Sequence, residues 1–152
     1  MPKFWFDHVG IAVRSIKDAV ALYGDALGGE FLHGGDMFDI WRWAQFTYPD
    51  GRKIELIEPL GEGFLTRFLD RYGEGLHHLT FKTDDIHAAI EHLQARGYEL
   101  VDINTEHEAW KEAFVRPKSA HGTLIQIAEA KYSDEDARNW EGRPTLDELL
   151  GG

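Results

Sequence analysis

The sequence predicts an α+β fold built from two βαβββ modules. Two strand-like runs about seventy residues apart each carry a histidine, His8 in the first and His78 in the second. Each run is followed by a helical pattern and further strands, and each half ends in a Pro- and Gly-containing turn before a strand with a polar residue, Glu55 or Gln126. Because repetition at this spacing marks a duplicated structural unit, we expect these residues at equivalent positions of two related modules.

The first module covers residues 4–58, and its pattern alternates between the strand and the helix periods. The apolar positions from Ile16 onward recur at three and four residues, which is typical of an amphipathic helix, and Ser15 is placed to cap its first turn. The Gly28-Gly29 pair ends that helix. The predicted elements are a strand at 4–13, a helix at 16–27, strands at 30–33 and 38–48 joined by a Gly34-Gly35-Asp36 turn, and a strand at 53–58.

The second module covers residues 76–130 and repeats this order. A linker at 59–75 precedes it and contains a short amphipathic helix, and an acidic tail at 131–152 follows it. Asp84 or Asp85 is placed to cap the second helix, and Gly97 to end it. The predicted elements are a strand at 76–83, a helix at 86–96, and strands at 98–102, 112–116 and 122–129.

Composition excludes several classes of function. Hydrophobic residues make up 43% of the chain, enough for a globular interior, and 27 acidic against 16 basic residues give a net charge of −11. That charge disfavours nucleic acids and anionic membrane surfaces as partners. The absence of cysteine excludes disulfides, thiolate metal sites and cysteine nucleophiles. No apolar run is long enough to span a membrane and no secretion signal is evident, so the cytoplasm is the expected compartment.

Four polar residues at matched strand positions predict a metal site. His8, Glu55, His78 and Gln126 offer two imidazoles, a carboxylate and a carboxamide, a set suited to one divalent ion. A single histidine in an apolar strand is more often a hydrogen-bonded core residue, and a single Glu on an alternating strand can face solvent. The metal site is favoured because His8 matches His78, and Glu55 matches Gln126, at equivalent positions of the two modules. Co, Ni, Zn, Mn and Fe remain open as the ion.

The residues that carry this pattern resemble the vicinal oxygen chelate superfamily, which includes glyoxalases, bleomycin resistance proteins and extradiol dioxygenases. The resemblance covers residues 4–130 and is strongest to methylmalonyl-CoA epimerases, in the segments 7–13, 53–60, 75–79 and 117–126. It implies that the paired modules form a curled mixed sheet around a metal-binding cleft. It also implies that His8, Glu55, His78 and Gln126 are the ligands, one from each of four strands.

The resemblance implies an isomerase or epimerase that stabilises the enolate of a 2-substituted acyl thioester. The chain departs from the epimerases at Gln126, where they normally have Glu, and a carboxamide cannot accept a proton at neutral pH. Glu55 is therefore the candidate catalytic carboxylate. His121 and Glu112 are further candidates for proton transfer, and both are equally consistent with a surface position.

Substrate contacts follow from the same resemblance. The epimerases have their Pro-Lys-Ser turn near the coenzyme A moiety, and this implies a coenzyme A thioester contact at Lys118 and Ser119, with a solvated turn as the alternative. His121 on the same turn and Trp43 on a first-module strand complete the candidate substrate-binding residues. A homodimer is the expected assembly.

Other functions on the same scaffold remain open. One is a glyoxalase-type lyase or an extradiol-type dioxygenase. Another is a binding protein that sequesters a small molecule in an aromatic cavity, although strand aromatics more often belong to the core. The candidate lining residues are Phe38, Trp41, Trp43, Phe46 and Trp110.

Overall fold

A computed structural model describes residues 1–151, which divide into two compact units. Unit one comprises residues 1–8 and 77–133, and unit two comprises residues 9–76 and the segment from residue 134 onward. The order of elements is βαβββ in both halves of the chain, so the α+β fold with paired modules is confirmed. Across the described residues we find no helix both long and apolar enough to cross a membrane.

The first module contains four strands with one helical segment after the first strand. The strands β2, β3 and β4 pair antiparallel, and Gln45 of β3 lies directly opposite Glu55 of β4. The elements are β1 (Phe4–Ala12), α1 (Ile16–Val20) with a π-helical turn (Ala21–Ala26), β2 (Glu30–Met37), β3 (Trp41–Thr47) and β4 (Lys53–Pro59).

The first helix begins as predicted but changes its geometry. Ser15 caps it by accepting a hydrogen bond from the backbone N–H of Asp18 at 3.2 Å. The predicted helix over 16–27 is present as a helical segment over Ile16–Ala26, but its second half is π-helical, where the backbone N–H of Leu27 bonds the carbonyl of Leu22, five residues earlier. That bond widens the last turns to π geometry, which periodicity in the sequence does not distinguish from α.

The predicted turn at Gly34-Gly35-Asp36 is wrong, because β2 continues through it to Met37. The chain reverses at Phe38 and Asp39, which both have positive φ, as the central residues of a type I′ hairpin turn do. Gly34 has a packing role instead. A Cβ at this position would clash with the backbone carbonyl of Trp43 on the paired strand and would lie 2.7 Å from the Cδ2 atom of Leu149, so the glycine lets both the neighbouring strand and that distant leucine approach.

The second module, joined to the first through α2 (Phe64–Tyr72), forms a mixed sheet. β8 is parallel to β5 and antiparallel to β7, which in turn pairs with β6. Asp85 caps the helix by accepting from the backbone N–H of Ala88 at 3.0 Å, which resolves the choice between Asp84 and Asp85. The elements are β5 (Gly75–Thr83), α3 (Ile86–Ala95), β6 (Leu100–Asn104), β7 (Trp110–Val115), a 3₁₀ turn (Pro117–Ser119) and β8 (Leu124–Ala130).

Each unit has its own buried core. In unit one, α3 packs its buried face on the sheet through Ile86, Ala89 and Ile90. In unit two, Ile16 of α1 packs with Phe46 and Leu56 of the central strands. Burial of each isoleucine, leucine or phenylalanine side chain stabilises the fold by about 1.5–3 kcal/mol, so these two cores hold the polar strand residues at fixed positions.

The segment after β8 adds two short helices to unit two, α4 (Asp134–Asn139) and α5 (Leu146–Leu149). Lys53 of β4 is buried and its Nζ atom lies 2.7 Å from Asp134 of α4. Arg143 donates hydrogen bonds to the backbone carbonyls of Phe31 and Leu32 on β2. The C-terminal segment is therefore packed onto the first module by a salt bridge and backbone hydrogen bonds.

Candidate metal centre

His8 lies on β1 in unit one and is almost fully buried, with 1% of its surface exposed. Its Nδ1 atom is 2.7 Å from Oδ2 of Asp7, and Oδ1 of Asp7 is 3.4 Å from Nζ of Lys82. An ionised carboxylate only accepts hydrogen bonds, so Asp7 favours a proton on Nδ1 of His8. Nε2 is then the imidazole atom with the lone pair that a metal ion requires.

His78 lies on β5, and its ring is nearly perpendicular to that of His8, with the two ring centroids 5.6 Å apart. The Nδ1 atoms of His77 and His78 are 2.9 Å apart. Burial, together with the positive charges that His8 and His77 would carry, lowers the pKa of His78 well below its usual value. Burial also lowers the pKa of His77 to about 4. Both rings are thus neutral at physiological pH, the form in which histidine binds metals.

Gln126 of β8 presents its carboxamide between two partners in unit one. Its Oε1 atom accepts a hydrogen bond from the Thr80 hydroxyl at 2.6 Å, and its Nε2 atom donates to Glu112 at 3.0 Å. The Thr80 oxygen also lies 3.1 Å from Nε2 of His8. The buried Thr80 hydroxyl therefore contacts both the Nε2 atom of His8 and the amide oxygen of Gln126.

Glu55 of β4 is the corresponding buried residue of unit two, with 8% exposure. Its Oε2 atom accepts a hydrogen bond from Nε2 of Gln45 at 2.9 Å, and Oε1 of Gln45 is 2.9 Å from Nε2 of His33. The His33 ring contacts the edge of Trp43 at a centroid distance of 4.7 Å. A chain of hydrogen bonds thus fixes the Glu55 carboxylate within its own unit.

The chemistry of these donors fits a divalent metal. His8, Glu55 and His78 are all buried and are of the residue types that ligate such ions. Two neutral imidazoles with one carboxylate suit Zn, Co, Ni, Mn or Fe better than Mg or Ca, which prefer oxygen donors alone.

The predicted substrate-binding residues differ in exposure. Lys118 and His121 are exposed and Ser119 is partly buried, on the turn that precedes β8 in unit one. Trp43 is half-buried on β3 in unit two, beside His33. The candidate aromatic lining is dispersed, because Phe46 packs in the core and Phe38 lies exposed on the hairpin turn. These two side chains do not face a common surface.

Several site residues escaped the sequence prediction. Thr80 stands two residues after His78, and the period of two along a strand gives a signal that they share a face. Asp7 gave no such signal, since neighbouring strand residues point to opposite faces, yet it contacts His8 through the ring edge. Gln45 needed the β3–β4 register, which places it opposite Glu55.

Residues 7–114 match the sequence pattern of the Glyoxalase/Bleomycin resistance protein/Dioxygenase superfamily, and the chain belongs to this family. An uncharacterised Bacillus subtilis (strain 168) protein, YqjC, is 35% identical, over 82% of this chain and 91% of that protein. The ethylmalonyl-CoA/methylmalonyl-CoA epimerase of Cereibacter sphaeroides is 31% identical, over 80% and 94%. The crystal structure of methylmalonyl-CoA epimerase from Mycobacterium tuberculosis has a TM-score of 0.75 and 32% identity, over 84% and 88%.

Proposed function

We propose that the chain is a divalent-metal-dependent enzyme that moves a proton at the carbon next to the carbonyl of an acyl thioester, in the manner of an epimerase. The observation that carries the proposal is the arrangement in unit one. Nε2 of His8 and Oε1 of Gln126 border one buried hydroxyl, and the neutral ring of His78 stands beside His8. This is a buried set of lone-pair donors rather than an apolar core.

In this proposal His8, Glu55, His78 and Gln126 bind a single ion. The histidines contribute neutral nitrogen donors, Gln126 an amide oxygen, and Glu55 the one negative charge among the ligands. A divalent ion held by these residues would supply Lewis-acid chemistry, polarising the substrate carbonyl and stabilising the negative charge on its oxygen.

Glu55 is the proposed catalytic carboxylate. It would take the proton from the substrate carbon, because it is the ligand whose side chain can be protonated at a carboxylate oxygen. Inversion of that carbon further requires a proton to return to the opposite face of the enolate. Gln45 holds one of its oxygens by a hydrogen bond at 2.9 Å. The second carboxylate oxygen of Glu55 is then available to bind the ion or to accept the proton.

A coenzyme A thioester is the proposed substrate. The Cereibacter sphaeroides relative is named for ethylmalonyl-CoA and methylmalonyl-CoA, and the exposed turn at Lys118, Ser119 and His121 offers a cation and hydrogen-bond donors for a phosphate or pantetheine group. Binding of methylmalonyl-CoA by Lys118→Ala, compared with the wild-type chain, tests this contact. Equal affinity would remove Lys118 from the substrate site.

The test of the activity combines metal analysis with isotope exchange. Protein purified without a metal-chelating column is assayed for metal and then incubated in D₂O with methylmalonyl-CoA and with ethylmalonyl-CoA. We expect deuterium at the carbon next to the carbonyl, its loss after chelation, and its return when metal is restored. Glu55→Gln should abolish exchange, whereas Glu91→Gln, on the exposed face of α3, should retain it.

The other functions of this superfamily give different results in the same assays. Full ligand affinity after chelation, without exchange, would indicate a sequestering protein. Oxygen uptake with catechols would indicate a dioxygenase. Either result would replace the proposed activity.

The proposed assembly is a homodimer. β1 carries two exposed aromatic residues, Trp5 and Phe6, with 47% and 46% of their surfaces accessible, and apolar side chains of this kind are typical of interfaces. Sedimentation equilibrium measures the mass directly. A monomer at micromolar concentration would contradict the dimer without affecting the proposed chemistry.

A further inference from the structure

Gln126 is paired with a carboxylate that lies outside the proposed ligand set. We propose that Gln126 and Glu112 together act as one anionic donor to the metal, with the oxygen supplied by Gln126 and the charge by Glu112. This inference rests on the metal site proposed above. It assigns Glu112 as a positioning residue that acts on the ion through Gln126.

The hydrogen bonds to Glu112 fix which atom of Gln126 is available. Oε1 of Glu112 accepts from Nε2 of Gln126 at 3.0 Å and from the indole Nε1 of Trp110 at 2.7 Å. Because an ionised carboxylate has no proton to donate, it holds the NH₂ end of the carboxamide. The oxygen of Gln126 is consequently turned to the side of Thr80 and His8, where a donor to the ion is needed.

The charge of Glu112 strengthens that oxygen as a donor. Two imidazoles, one carboxylate and one carboxamide leave a net charge of about +1 on a site that holds a divalent ion. Glu112 places a second negative charge one hydrogen bond away. A hydrogen bond from an amide N–H to a carboxylate also polarises the amide, which raises the electron density on its oxygen.

The buried surroundings make this charge effective. Thr80 is fully buried, and Gln126 and Glu112 are both partly buried, so the interaction is less screened than at an exposed surface. The Nζ atom of Lys82 lies 5.8 Å from the centre of the Trp110 ring and 3.4 Å from Oδ1 of Asp7, so this cation has a carboxylate partner of its own. The hydrogen bond from Gln126 brings the charge of Glu112 to this carboxamide.

Substitution can separate the charge of Glu112 from its geometry. In Glu112→Gln an amide oxygen replaces Oε1 and can still accept from Trp110 and Gln126, so the orientation is retained and only the charge is lost. The double variant Glu112→Gln/Gln126→Glu returns the charge, since a carboxylate at 126 can accept from the new amide. Glu106→Gln, exposed between β6 and β7, is the matched control.

The readout is the affinity for Co²⁺, measured by calorimetry and by the visible spectrum of the bound ion, with circular dichroism to verify folding. We expect Glu112→Gln to lose about 10-fold or more in affinity, as outer-shell carboxylates typically do. The double variant should regain it, and Glu106→Gln should match the wild-type chain. If Glu112→Gln binds Co²⁺ as tightly as the wild-type chain, the inference about Glu112 is overturned and the proposed metal site is not affected. A double variant that binds Co²⁺ as weakly as Glu112→Gln would also overturn the inference about Glu112. A wild-type chain that binds no Co²⁺ would remove the metal proposal and this inference together.

Discussion

Asp7→Asn tests the link between His8 and its supporting carboxylate most directly. In the wild-type chain two donors surround Asp7, Nδ1 of His8 at 2.7 Å and Nζ of Lys82 at 3.4 Å. Asparagine has a single acceptor oxygen, and its NH₂ group cannot accept from either donor. One of the two contacts is therefore lost whichever way the amide is oriented.

The expected loss can be estimated from this geometry. Removal of an outer-shell carboxylate typically weakens metal binding about 10- to 100-fold, which corresponds to roughly 1.4–2.7 kcal/mol. Leaving one donor of the pair without its partner in this largely buried position costs about 1–3 kcal/mol of unfolding free energy. Asp7→Asn should therefore weaken Co²⁺ binding and lower the stability of the metal-free chain together.

Calorimetric Co²⁺ titration and urea unfolding of the chelated protein measure the two effects separately. Asp84→Asn is a suitable control, because Asp84 is exposed and makes one long hydrogen bond to the backbone of Lys3. Affinity within a factor of about 2 of the wild-type value would refute the role of Asp7, given the 10-fold lower bound above.

Three further predictions concern unit two. Leu149→Ala should lower the unfolding free energy by about 2–3 kcal/mol in urea denaturation, because Leu149 is 8% exposed in the core, whereas Leu27→Ala, at an exposed position, should have little effect. Gly34→Ala should cost about 1–3 kcal/mol in the same assay, because its Cβ would meet the backbone carbonyl of Trp43 and the Cδ2 atom of Leu149; an unchanged midpoint would contradict that packing role. The hydrogen bond from Arg42 lowers the pKa of Asp36, so its ionised form stabilises the fold above pH about 4 and the benefit is lost as the pH falls through that lowered pKa. Asp36→Asn should therefore be less stable than the wild-type chain at neutral pH and equal to it in acid.

Local patterns in the sequence predicted the elements that depend on neighbouring residues. Residue type alone predicted the helix cap at Ser15 and narrowed the second cap to Asp84 or Asp85, of which the structure uses Asp85, because a cap is a contact over three residues. Repetition between the halves predicted which strand positions are equivalent. The pairing of βαβββ modules followed from these two signals.

Contacts between distant parts of the chain could not be predicted from these local patterns. Glycine is a residue type typical of turns, but Gly34 is explained by close contacts with the backbone of Trp43 on the paired strand and with the side chain of Leu149, more than a hundred positions away. At position 126 the sequence indicated only that Gln replaces the Glu of the epimerases. The contact between the Gln126 amide and Glu112 depends on how the two strands pair in the sheet. Each of these features depends on tertiary packing, which composition and periodicity do not encode.

The hydrogen bonds from Arg143 protect the outermost strand of the first module. Among the strands of residues 1–151, β2 pairs with β3 alone, and the carbonyls of Phe31 and Leu32 would otherwise offer a template for another chain. A nascent chain whose Arg143 is still inside the ribosome would lack these hydrogen bonds to the edge of β2. Cleavage between α4 and Arg143 should likewise promote aggregation through β2 while the polar residues on β1, β5 and β8 remain unaltered.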